Sequence, residues 1–97
     1  MFATVRRYEG LGDATIEGLR ERSPEIAALL AAVPGTSGSE LIRTRDGVIL
    51  VTVADDEASL VESGRRFVAW VEAHVSGFRG RSLSDVWAGE VLTGGKR

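Results

Sequence analysis

Ninety-seven residues with 43% hydrophobic content suit one domain large enough for a core, spanning 1–97 with 93–97 expected to fray. Twelve Lys and Arg against fourteen Asp and Glu, without a block of like charge, leave no electrostatic footprint for nucleic acid or an anionic membrane. No cysteine is present, which excludes disulfides, thiolate metal sites and a cysteine nucleophile, and no signal-like or membrane-spanning apolar run occurs, so a cytoplasmic protein is expected.

Taken in order, Phe2 to Glu9 alternates as a strand, with Phe2, Thr4, Arg6 and Tyr8 on one face and Ala3, Val5, Arg7 and Glu9 on the other. Gly10-Leu11-Gly12 breaks it, and Asp13 is placed to cap a helix that runs to about Val33. Ile16, Leu19, Ile26, Leu30 and Val33 recur along that helix at helical spacing. Pro24 inside it predicts a kink, or a restart with Ser23 as cap. Pro34-Gly35 ends the element, and Thr36 to Ser39 reads as a loop.

Asp46-Gly47 is a hairpin signal, because a two-residue type I′ turn needs positive φ at both central positions. That turn sets Arg45 opposite Val48, Arg43 opposite Leu50 and Leu41 opposite Thr52. Glu40 to Arg45 mixes apolar and charged residues like an edge strand, whereas Val48 to Val53 is almost continuously apolar, like a strand covered on both faces. Asp55 and Asp56 offer a second cap. Leu60, Gly64, Phe67, Val68, Val71 and Val75 form the stripe of a second helix. Gly64 on that stripe suggests a close approach of helix to sheet. Gly77 to Ser84 reads as a loop, and Asp85 to Leu92 as a fourth strand.

The order is therefore βαββαβ, an α+β ferredoxin-like arrangement. Right-handed crossovers put the third strand beside the first, in an antiparallel four-stranded sheet with two helices on one face. The other face then carries an apolar band too large to leave wet, and a second copy packed sheet to sheet about a twofold axis would cover it. Because Arg43 and Arg45 sit opposite Leu50 and Val48, the Leu41, Arg43, Val48 and Leu50 face is expected toward the partner, with Ile42, Ile49, Val51 and Val53 toward the helices.

The start FATVRRYEG, the VPG closing the first helix, the D-G hairpin and the ending WAGEVL resemble the small antibiotic biosynthesis monooxygenase proteins of the dimeric α+β barrel superfamily. The resemblance implies a homodimer with a pocket for a small, partly apolar organic molecule. It also implies cofactor-independent oxygenation of a phenolic or quinol substrate as an alternative, and haem breakdown in other members. Members that perform these reactions typically use an asparagine with a tryptophan, and this sequence has no asparagine.

Arg6, Tyr8, Arg43 and Trp87 are the candidate ligand-binding residues, since two guanidiniums and a phenol in a dimer cavity could hold an anionic or phenolic ligand. Cross-strand pairing of the arginines with Glu9, Glu40 and Glu90, and packing of Trp87, are the competing structural readings. Trp70 and His74 fall one turn apart at the margin of the second helix, where a packing pair outweighs a haem ligand. Asp55, Asp56 and Glu57 read as cap and dipole match, so no metal site is expected. No cofactor is assigned, and no residue is given a catalytic role. A dimerisation module without ligand is the third reading.

Overall fold

The computed structural model describes residues 1–94, and residues 95–97 of the tail expected to fray lie outside the described residues. The chain runs β1 (Phe2–Glu9), α1 (Asp13–Glu21), α2 (Ser23–Ala31), β2 (Thr36–Arg43), β3 (Gly47–Ala54), α3 (Glu57–His74), a 3₁₀ turn at Gly80–Ser82, and β4 (Leu83–Glu90). The four strands form one antiparallel sheet in the order β2-β3-β1-β4. This is the ferredoxin-like α+β arrangement, with the first helix divided in two.

The division falls where the proline requires it. Arg22 leaves helical geometry and holds the cap position expected of Ser23, which is instead the first residue of α2; Pro24 occupies the first turn, where its missing N–H costs nothing. Asp13 is not a cap: α1 begins at Asp13 itself, after an extended Gly12. Asp56 does cap α3, its carboxylate accepting from the Ser59 backbone N–H at 2.8 Å, and this hydrogen bond holds the Asp56 carboxyl below its ordinary pKa.

The hairpin departs from expectation in two ways. Its two-residue turn is Arg45-Asp46, flanked by Thr44, whose N–H donates to Gly47 O at 2.9 Å. Arg43 therefore faces Val48, and Leu41 faces Leu50. Among the described residues only Gly10, Gly35 and Gly77 have positive φ, so Gly47 is not a left-handed turn residue. It pairs with Glu9, and a Cβ there would overlap the Tyr8 carbonyl oxygen, so glycine serves the close approach of β1 and β3.

A register shift of two keeps each residue on its own face, but the faces are exchanged relative to expectation. Val48, Leu50, Thr52 and Ala54 are buried beneath the helices with Thr4 and Tyr8, whereas Ile49, Val51 and Val53 lie on the open side. The core is one cluster of Tyr8, Leu11, Ile16, Leu19, Ile26, Leu30, Val48, Leu50, Phe67, Val71, Val75 and Phe78. Arg43 is tolerated on the helix side because it sits at the sheet edge beside the turn, where its guanidinium stays exposed and reaches Asp13 at 3.7 Å.

Candidate functional site

β2 begins earlier than its sequence suggests. Thr36 to Ser39 belongs to the strand, with a bulge between Thr36 and Gly38 against β3. Bulges bend an edge strand away from regular pairing. Here the bulged stretch runs opposite a helix face built from alanines, so strand and helix leave space between them. The result is a trench of about 390 Å³ between α2 and β2, with Ile26, Leu30 and Leu41 as its apolar lining and Ala27, Ala31 and Gly38 too small to fill it. Ser23, Thr36, Ser37 and Ser39 add hydroxyls. Thr36 already spends its own on the Val33 carbonyl at 2.7 Å.

The trench continues along α1 into a second hollow of about 290 Å³ lined by Ile16, Leu19, Arg20, Ser23, Leu41, Arg43 and Val48. Ser23 and Leu41 border both, so the helix restart forced by Pro24 stands midway along the groove. Two cations mark one end. Arg20 is engaged by Glu17 at 3.0 Å, whereas Arg43 has only the long contact to the fully exposed Asp13. An exposed pair of that length contributes little, so the Arg43 guanidinium keeps donors for a ligand.

The four residues singled out in the sequence do not meet in one place. Arg43 lines the trench. Arg6 and Tyr8 lie under α3, with Tyr8 fully buried and its ring centroid 5.6 Å from Phe67 and 5.2 Å from Phe78. Trp87 pairs with Val5 and stands 52% exposed on the open side of the sheet. Trp70 and His74 stack at 4.2 Å with Arg22 over the tryptophan ring, and His74 Nδ1 lies 2.8 Å from the Trp70 carbonyl oxygen. That arrangement ties the α1–α2 junction to α3, and neither residue lines the trench. Among the described residues no group of three or more His, Cys, Asp or Glu is arranged to hold a metal, and no helix is long and apolar enough to cross a membrane.

Burial pushes the Tyr8 hydroxyl above its usual pKa, and the nearby positive charge of Arg6 offsets part of the rise. Tyr8 is the single tyrosine, so ultraviolet absorbance titrates it alone. Its raised folded pKa stabilises the fold fully below the unfolded value of about 10, and that contribution is lost as pH rises through the folded value. Phenolate should therefore appear at higher pH in the folded protein than in urea; coincident titrations would contradict the buried position of Tyr8.

Sequence reasoning missed Arg20, Ser23 and the Thr36–Ser39 stretch as lining. Small polar residues carry little strand propensity, and only the register against β3 shows that they are strand.

No protein-family model matches the chain, and no curated protein matches it. Solved structures do. The heme-degrader MhuD from Mycobacterium tuberculosis, with two hemes bound in its active site, superposes with a TM-score of 0.63 at 14% identity, over 99% of this chain and 100% of that one. A Nitrosomonas europaea protein assigned to the antibiotic biosynthesis monooxygenases gives 0.65 at 13% identity, over 96% and 100%. SnoaB, a cofactor-independent oxygenase from Streptomyces nogalater, gives 0.60 at 20% identity, over 96% and 94%. The chain thus has, over nearly its whole length, the α+β fold on which antibiotic biosynthesis monooxygenase proteins are built.

Proposed function

We propose that this protein is a cytoplasmic homodimer, paired through its open sheet face as an α+β barrel, that binds a small, partly apolar organic anion in the trench between α1–α2 and β2. The observation that carries the binding reading is the unfilled apolar groove with the under-used Arg43 guanidinium at its end. Ligand sites are concave, mostly apolar and oriented by a few polar groups, and the groove has that composition. The dimer rests on Val5, Ile49, Val51 and Val53 and the more exposed Ile42 and Trp87, which line the helix-free side of the sheet. In that dimer Trp87 is a subunit contact. The cytoplasmic placement rests on the sequence alone.

The probe we would use is 1-anilinonaphthalene-8-sulfonate, an apolar anion whose fluorescence rises on binding. Saturable binding to the native protein should be abolished by Leu41→Trp, which fills the groove. Arg43→Gln should weaken it about tenfold, as loss of a charge-assisted hydrogen bond does. Binding unchanged in Leu41→Trp would sink the assignment.

Cofactor-independent oxygenation of a phenolic or quinol substrate is the second reading, favoured by the shared fold with SnoaB. Oxygen uptake above the buffer rate with a panel of hydroquinones and no added flavin, metal or haem would support it. Failure across the panel would remove it and leave binding in place.

A further inference from the structure

Among the described residues three buried side-chain polar atoms have no hydrogen-bond partner: Arg6 Nε, Tyr8 Oη and Ser63 Oγ. They belong to one region beneath α3. The Arg6 guanidinium tucks under the helix at Gly64, where a Cβ would stand 2.5 Å from Cζ and 2.8 Å from Nε. Ser63, the preceding residue, is fully buried, and Tyr8 follows Arg6 on the same face of β1 with no exposure.

Each of these groups can donate, and together they carry one positive charge. Among the described residues no carboxylate lies within ion-pair distance of Arg6. Buried donors left unpaired are costly, and the Arg6 guanidinium, whose Nε is one of them, has no counter-charge beside it. Water would satisfy the hydrogen bonds and leave the charge; an anion answers both. None of the three residues lines the trench. Arg6 is partly buried and pairs with Val86 on β4, which stands 48% exposed, so the region is reached from the β4 edge of the sheet.

We propose that Arg6, Tyr8 and Ser63 form an interior site for one small monovalent anion, of chloride or formate size, held under Gly64 of α3. The glycine is then part of the site, because only a missing side chain leaves the guanidinium room beneath the helix.

Gly64→Ala separates binding from folding. The added methyl meets the far end of a flexible side chain, which can swing away, and alanine favours a helix interior over glycine. The protein is melted in sodium gluconate, whose anion is too large for the site, and chloride or formate replaces gluconate at constant ionic strength. The wild type should show a saturating rise on the order of 5 °C. Gly64→Ala and Arg6→Met should fold and show no such rise. Saturation by chloride identifies a halide site and saturation by formate a carboxylate site, and each supports the proposal. No saturable rise in the wild type with either anion, or an undiminished rise in Arg6→Met, overturns it.

Discussion

Leu50→Asp is expected to unfold the subunit, whereas Val51→Asp, one residue along the same strand, should leave a folded monomer. Leu50 is 1% exposed at the centre of the core, opposite Leu41 and Arg6. An aspartate there forfeits about 2–3 kcal/mol of apolar burial and adds the larger cost of a buried, unpaired carboxylate. Substitutions of that kind exceed about 4–5 kcal/mol, comparable with the whole stability of a small domain. Val51 lies on the open face, between Glu40 and Val5. Its aspartate costs the subunit little and places like charges face to face across the twofold-related sheets. Circular dichroism and sedimentation velocity together read both outcomes. An unfolded Val51→Asp beside a folded Leu50→Asp would mean that the faces have been assigned the wrong way round.

Phe67→Ala should be the most damaging truncation, at about 3–5 kcal/mol. The ring is fully buried, meets Tyr8 at 5.6 Å and stands edge-on to Phe78 at 5.7 Å. Such aromatic contacts add about 0.5–1.5 kcal/mol per pair beyond the area buried. The triad joins β1, α3 and the segment after α3, so its loss should loosen all three together. Urea denaturation would show it as a lower midpoint with an unchanged slope. A midpoint shift equivalent to under about 1 kcal/mol would contradict the central place given to Phe67. Tyr8→Phe provides the contrast: it keeps the ring and removes a hydroxyl without a partner, so in gluconate it should cost nothing or stabilise.

The element order, the helix restart at Pro24 and the Asp56 cap were legible because each follows from local chemistry, although the restarted helix is capped at Arg22 and not at Ser23; the strand order then followed from crossover handedness. An alternating strand, a proline and a capping carboxylate act over a few residues. The choice of face for β3 was not legible, because both of its parities are apolar and period-two reasoning has nothing to grip. The Arg43 and Arg45 positions then misdirected the choice, since a charge at a sheet edge can reach solvent from either face. Gly47 was read as a turn residue when its reason is the β1 backbone beside it, a long-range contact. Phe78 was assigned to a loop, yet it is wholly buried, because a single apolar residue between glycines carries no periodicity. Gly64 was read as a close approach of helix to sheet; what approaches is the Arg6 guanidinium. The trench was illegible for a related reason: it is made by what alanines, a glycine and a bulge fail to fill. Arg43 alone among its lining residues announced itself by charge, while Arg20 looked like one more member of a solvated helix face.

Native mass spectrometry of the protein purified without added ligand should show a dimer of the 10.4 kDa subunit, each copy carrying a small organic anion that is absent from Leu41→Trp. A bare monomer at micromolar concentration would contradict both the dimer and the bound ligand.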